Sequence, residues 1–206
     1  MTGSEQERGE IVSRAMALIE ARGAEVSLAM LAAESGMSRS RIERHFADEA
    51  ALFDAIVEDW YAPDVAIMEE VVASDLPIRR KFYEFFARRF VRELARYEED
   101  PATFRLYCEL GEARFEQVRG YIELADHYLA ELIAQAQDEG FFPDLTIERA
   151  LSLINQSVIC YTSPQVLMML EARLDESKLA QIVDTLFAGL AGGDRGARSV
   201  GALHAA

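Results

Sequence analysis

The chain has 206 residues, half of them hydrophobic, with 21 Lys and Arg against 36 Asp and Glu, a net charge of −15. The apolar share is enough for a buried core, while no apolar run approaches the roughly 18 residues that span a bilayer, and the polar start MTGSEQERGE lacks a secretory pattern. Two cysteines, Cys108 and Cys160, exclude a disulfide framework and a Cys₄ metal site, and three histidines (His45, His127, His204) leave little material for metal or general-base chemistry.

These features describe a soluble cytoplasmic protein with no membrane partner. The acidic surplus, taken over the whole chain, argues against nucleic acid, because phosphate binding is mostly electrostatic. Residues 1–60 hold six Arg against twelve Asp and Glu, so any basic surface has to be local.

The apolar pattern is helical almost throughout. Ile11, Ala15, Leu18 and Ile19 predict a first helix ending before Gly23. Ser27 is placed to cap a short helix with Leu28, Leu31 and Ala32, which Gly36 stops. Ser38 opens the next, with Ile42 and Phe46 on one face. Asp48 caps a fourth, through Leu52, Phe53, Ile56 and Val57 toward Trp60. Pro63 interrupts the pattern, and a separate helix is expected over residues 64–73.

After Pro77 a strong stripe of Phe82, Phe85, Phe86, Phe90 and Leu94 predicts a long helix. Asp100-Pro101 is an N-cap followed by proline at the first helical position. Residues 104–137 are too long for one helix and contain Gly111 and Gly120, so a break is expected near 111–116. Gly140 and Pro143 end that region, and helices follow over 147–161 and from Ser163-Pro164 to Leu170. Asp175 caps the last, where Leu179, Ile182, Val183, Leu186, Phe187 and Leu190 keep helical spacing up to Gly192-Gly193. Residues 193–206 are expected to be a mobile tail. No strand pattern or internal repeat is present, so the fold class is all-α, with a boundary near residues 48–50.

Residues 27–46 read SLAMLAAESGMSRSRIERHF. A helix-turn-helix needs a small residue where its helices cross, and Ala32 supplies it. Four positions on, the turn needs positive φ, and Gly36 supplies that. Six residues further Ile42 is the apolar anchor, and Met37 and Phe46 complete the inner face. At about 100° per residue, the outer arc then carries Ser40, Arg41, Arg44, His45 and Glu43. Residues 38–46 hold three Arg against one Glu, a locally basic face suited to phosphate and base contact.

The stretch Ile11 to Trp60 resembles the N-terminal domain of the tetracycline-repressor (TetR) family of transcriptional regulators. The resemblance rests on a first helix ending in ARG, on the segment above with Gly36-Met37-Ser38, Ile42 and His45-Phe46, and on DEAALFDAIVEDW with Leu52-Phe53. It covers about 50 of the 206 residues, and the remainder agrees in length and helical character. It implies a helix-turn-helix domain over residues 1–49, and a larger ligand-binding and dimerisation domain over 50–192. It also implies a homodimer on a pseudo-palindromic double-stranded DNA operator. Ser27, Ser38, Arg39, Ser40, Arg41, Arg44 and His45 are the candidate DNA contacts.

The chain departs from the family pattern in helix two, where Ala29 and Met30 stand in place of a common basic or polar residue, and at two further positions. Glu43 stands where an aromatic residue is usual, and Glu49 where Lys is common. Glu43 has three readings: acceptor from cytosine N4, partner of Arg39 at i, i+4, or solvated charge. Asp48 and Glu49 lie at a helix N-terminus that would otherwise welcome a phosphate. DNA binding is therefore expected to be weak and strongly salt-dependent, or narrow in sequence preference. The alternative is a degenerate member that no longer binds DNA and acts through protein contacts or ligand binding.

The larger region has no G-x-G-x-x-G after a strand, no P-loop and no paired Glu-x-x-His, so no enzyme, metal or cofactor is expected. His127 is read as an ordinary helix histidine, and the two cysteines as apolar core residues. The run Arg79-Arg80-Lys81 with Arg88, Arg89, Arg92 and Arg96 is read as a solvated helix face. The resemblance implies a ligand cavity among the middle helices. Its candidate lining is Trp60, Phe82, Phe86, Phe90, Phe104, Tyr107, Tyr128, Tyr161 and Met168, with Asn155 among the polar groups. The acidic surplus favours a small apolar or cationic ligand. The last helix and the helix over 150–161 carry broad apolar stripes suited to a four-helix dimer interface.

Overall fold

A computed structural model describes residues 3–23 and 25–191. The expected tail and its glycine stop lie outside the described residues. Among the described residues are ten α-helices: α1 Gly3–Arg22, α2 Leu28–Ser35, α3 Arg39–Glu43, α4 Glu49–Ala73, α5 Ile78–Glu99, α6 Pro101–Ala113, α7 Phe115–Asp138, α8 Ile147–Thr162, α9 Pro164–Leu170 and α10 Glu176–Leu190. A short 3₁₀ turn, Glu171–Arg173, precedes α10. No strand occurs among the described residues.

Local chemistry sets most boundaries. Ser27 accepts from the Met30 amide, Asp100 from the Ala102 and Thr103 amides, Thr146 from Arg149 and Asp175 from Lys178. Each satisfies a donor that the first helical turn leaves without an internal partner. The long segment after Asp100 does break, at Arg114, between α6 and α7.

Two elements differ from expectation. The helix that starts at Glu49 runs through Pro63 to Ala73 without a second start. Pro63 and Asp59, the residue one turn before it, are both exposed, so water can solvate the carbonyl that proline leaves unpaired. Turned away from Pro63, Val57, Asp64, Met68, Val71 and Val72 are all buried. That inward face holds the helix together across the proline. Conversely, α3 is only five residues long. Arg44 and His45 follow it as a turn, closed by amide bonds from His45 and Phe46 to the Ile42 carbonyl at 2.9 and 3.0 Å.

The chain forms two compact units, one from residues 1–70 and 89–127, the other from 71–88 and 128–206. The division runs through α4, α5 and α7. In the first unit, Ile11, Ala15 and Ile19 of α1, Leu28 and Leu31 of α2, Ile42 of α3, Phe46, and Leu52, Phe53 and Ile56 of α4 form one apolar core. Tyr107 and Leu110 of α6 join it. In the second unit Phe82, Phe142 and Phe187 pack on one another with centroids 5.0–6.3 Å apart.

Because Pro63 is an exposed interior proline, P63A restores a helical hydrogen bond without touching the core. It should raise unfolding free energy by about 1–3 kcal/mol, read as a higher urea midpoint at unchanged slope. A lower midpoint would show that the proline sets the course of α4.

Candidate nucleic-acid interface

The turn between α2 and α3 is built as its residues require. Gly36 has φ 69° and ψ 10°, the left-handed region. A Cβ there would meet no atom within 4 Å, so the demand for glycine is conformational and not steric. The Met37 amide donates to Ser35 Oγ at 3.3 Å, and Arg14 Nη1 of α1 donates to the Ser35 carbonyl at 3.2 Å. Ile42 is fully buried and Met37 and Phe46 nearly so, which fixes α3 with its outer side to solvent.

That outer side holds Ser38, Arg39, Ser40, Arg41 and Arg44, all exposed. Ser38 and Ser40 hydroxyls lie 3.3 Å apart. Ser27 is half-buried, and its oxygen accepts from the Met30 amide. His45 differs from the rest: its side chain is only 10% exposed, with Nε2 3.2 Å from Glu7 Oε2.

Carboxylates of the protein reach this face. Arg39 Nε donates to Glu43 at 2.7 Å, the i, i+4 pairing among the readings of Glu43. Arg41 Nε donates to Glu7 Oε1, and Arg44 Nη2 lies 3.9 Å from the same oxygen. The bonds from Arg41 and His45 hold the Glu7 carboxyl below its ordinary pKa. Sequence reasoning missed Glu7. Its signal was the spacing, because Glu7 lies one turn before Ile11 on the stripe that continues with Ala15 and Ile19.

The two carboxylates after the turn have structural partners. Asp48 accepts from the Ala51 amide at 2.8 Å and so caps α4. Glu49 Oε1 accepts from the Leu28 amide at 3.2 Å, at the first residue of α2. Two helix N-termini that could each bind phosphate are thus occupied by the chain's own carboxylates.

Further along the first unit lies a buried polar cluster. The Asp64 side chain is 2% exposed, and its Oδ2 accepts from Arg92 Nη1 at 2.9 Å. The same nitrogen donates to Glu93 Oε1 at 2.8 Å, and Arg92 Nη2 reaches the Trp60 carbonyl at 3.3 Å. Arg96 bonds Glu93 at 3.0 Å and covers the Trp60 ring, whose other neighbour is Tyr107 at 4.1 Å. Tyr61 stacks on Tyr121 at 3.8 Å, and Arg89 donates to the Tyr121 hydroxyl. Asp64 Oδ1 and Glu93 Oε2 are buried acceptors that no donor among the described residues reaches. Burial, with Glu93 adding to it, pushes the Asp64 carboxyl up to about 6. Burial also raises the half-buried Cys108 thiol to about 12.

The basic run of α5 is therefore not one solvated face. Arg92 and Arg96 belong to this cluster, and Lys81 is buried, with Nζ donating to the Val72 carbonyl and to Gln135 at 3.0 and 2.8 Å. Their carboxylate and carbonyl partners come from α4, α5 and α7, which outweighs solvation. Arg79 covers the rings of Phe141 and Phe187.

The ten candidate ligand residues divide between the units. Trp60, Phe90, Phe104 and Tyr107 fall in the first, and Phe82, Phe86, Tyr128, Asn155, Tyr161 and Met168 in the second. Tyr161 donates to the Asp175 carbonyl at 3.3 Å. Tyr128, Asn155 and Met168 are half-buried, and His127 is exposed. Among the described residues no group of His, Cys, Asp or Glu is arranged for a metal ion, and no helix is long and apolar enough to cross a membrane.

A short exposed helix, docked through a glycine turn and an apolar anchor on two supporting helices, defines a helix-turn-helix protein. Residues 11–56 match the model of bacterial regulatory proteins of the tetR family, and residues 79–183 the tetracyclin repressor-like C-terminal domain. The chain belongs to the tetR family of DNA-binding transcription regulators.

Solved structures agree in fold. SmeT, the repressor of the Stenotrophomonas maltophilia multidrug efflux pump SmeDEF, is 19% identical with a TM-score of 0.65, covering 91% of this chain and 95% of its own. The SmeT–triclosan complex gives 18% and 0.60, covering 94% and 99%. The fatty acid degradation regulator FadR from Bacillus halodurans gives 18% and 0.58, covering 92% and 96%. None of the curated proteins matches by sequence.

Asp64 yields a pH prediction with a definite sign. Its folded pKa lies above the ordinary carboxyl value of 3.8, so its contribution is fully present below that value and is lost as pH rises through about 6. The lowered carboxyls of Glu7, Asp100 and Asp175 act in the opposite sense, below their ordinary values. Between pH 5 and 6, D64N should flatten the fall of stability with pH by about 1 kcal/mol per pH unit, measured by urea unfolding at stepped pH. Parallel wild-type and D64N curves would refute an elevated Asp64.

Proposed function

We propose that this chain is a cytoplasmic, homodimeric, ligand-responsive repressor that binds a pseudo-palindromic operator. The observation that carries the reading is the exposed face of α3, where Arg39, Arg41 and Arg44 stand with Ser38 and Ser40 on a buried Ile42 anchor. Arginine matches guanine O6 and N7 in the major groove, while serine and histidine serve base or phosphate. In a two-fold dimer the α3 copies would lie about 34–36 Å apart, one turn of DNA. Residues 1–49 would read DNA and residues 50–192 would bind ligand and dimerise. Pairing through α8 and α10 is supported by Ile159, which is half-exposed on α8.

The ligand reading is supported by the surroundings of Trp60 in the first unit. Tyr107 supplies apolar surface against the Trp60 ring, and Asp64 Oδ1 and Glu93 Oε2 supply buried acceptors for a ligand N–H or O–H. SmeT is a repressor with a triclosan complex, which makes triclosan a reasonable first probe beside an organic cation. The second reading, a member that no longer binds DNA, is favoured by the carboxylates: Glu7 and Glu43 reach the arginines, and Asp48 and Glu49 occupy two helix N-termini.

Gel shifts with duplexes from upstream of the protein's own gene, at two salt concentrations, separate the readings. Wild type should bind, with affinity falling steeply as salt rises. R41A and R44A should each lose about 1–3 kcal/mol where the arginine reads guanine. Unchanged affinity in both variants would reject these contacts, and no wild-type shift in dilute buffer would favour the second reading. A probe that releases DNA must itself bind more weakly to the DNA complex by the same factor, measured by calorimetry with and without operator.

A further inference from the structure

Glu7 lies in the early turns of α1, outside the helix-turn-helix segment, yet its one carboxylate serves the end of the reading helix. Oε1 accepts from Arg41 Nε, with Arg44 Nη2 at 3.9 Å, and Oε2 lies 3.2 Å from His45 Nε2. The side chain is 22% exposed, whereas Arg39 and Glu43, which pair within α3, are 67% and 43% exposed. Arg41 is itself 44% exposed, so water screens both pairs, the second the more. The next residue anchors the clasp. Arg8 lies over the Phe46 ring, 5.4 Å from its centroid, and pairs with Glu58 of α4 at 3.0 Å.

A guanidinium held by its Nε–H keeps its terminal N–H groups, the fork that fits guanine O6 and N7. A carboxylate at that point also cancels one positive charge on a face where three Arg stand against one Glu. Non-specific binding comes almost wholly from phosphate neutralisation, while base readout depends on a fixed side chain. Both effects of Glu7 therefore act in one direction.

We propose that Glu7 is a specificity-determining positioning residue, which, braced by His45 on its other oxygen, holds Arg41 in register for base contact and suppresses the attraction of Arg41 to phosphate. This rests on the DNA-binding reading and adds a residue of α1 to it. The effect is an exchange: a face that would attract any duplex weakly becomes one that prefers a defined sequence.

The test uses the full-length protein. Duplexes are first enriched from a random pool by wild type. Affinities for the enriched duplex and for poly(dI-dC) are then measured over a salt series for wild type, E7Q, R41Q and E7Q/R41Q. E7Q should bind poly(dI-dC) about tenfold more tightly at low salt, steepen the logarithmic salt slope by about one phosphate contact, and lose about tenfold of the preference for the enriched duplex. These effects should vanish in the R41Q background. E7D, which keeps the charge but shortens the reach, should lose preference without tighter poly(dI-dC) binding, and it carries the test if E7Q does not fold. An unchanged slope and preference in E7Q, or an E7Q effect that persists without Arg41, overturns the proposal. Failure of wild type to enrich any duplex overturns the DNA-binding reading itself, and this inference with it.

Discussion

A helix of five residues has no stability of its own in water, since it scarcely completes the turn that nucleation requires. α3 therefore exists only because Ile42 and Phe46 are buried in the core made by α1, α2 and α4. Together those side chains contribute roughly 3–6 kcal/mol by leaving water, a large share of the roughly 5–10 kcal/mol that ordering five backbone residues costs. The outward direction of Arg39, Arg41 and Arg44 is a consequence of that burial. Loss of the anchor would leave a basic loop with no fixed geometry, whatever its charge.

Net charge is a poor guide to such a molecule. At −15 the chain as a whole repels a polyanion. Many of its acids are engaged locally: Asp48, Asp100 and Asp175 cap helices, Glu49 bonds the start of α2, and Glu7 bonds α3. The caps bond neutral amides, so their charge is still felt at a distance, whereas the charge of Glu7 is offset by Arg41. Their positions matter more than their number, because a carboxylate at a helix N-terminus displaces the phosphate that could otherwise sit there.

Features governed by neighbours in sequence were legible. The Gly36 turn, the Ser27, Asp100 and Asp175 caps, the break between α6 and α7 and the stripes of α5 and α10 follow from residues within a few positions of each other. Pro63 was misread because its effect depends on which side of α4 faces solvent. Arg92, Arg96 and Lys81 were misread for a similar reason. Their partners Asp64, Trp60, Val72 and Gln135 are distant in sequence, and a basic residue on a helix looks the same whether water or a carboxylate meets it. Of the candidate DNA contacts, Ser27 and His45 are partly buried, which the sequence did not reveal. Glu7 was visible in principle, as a lone acid on an otherwise apolar stripe.

The uninterrupted course of α4 has a mechanical consequence for the proposed ligand response. Its first residue, Glu49, bonds the start of α2, and fifteen residues later Asp64 enters the buried cluster, about 22 Å along one rod at 1.5 Å per residue. A separate helix after Pro63 would have placed a joint between these points. Buried ion clusters commonly cost more in desolvation than they return, and apolar replacements are often as stable. Arg92 shared between Asp64 and Glu93, each with one oxygen that no donor among the described residues reaches, is such a costly arrangement. A ligand that supplied the missing donors would favour one placement of Asp64 over another, and differential affinity of that kind is what shifts an equilibrium between states. Carried along α4, the shift would act on the Glu49–Leu28 bond, and so on the platform that orients α3.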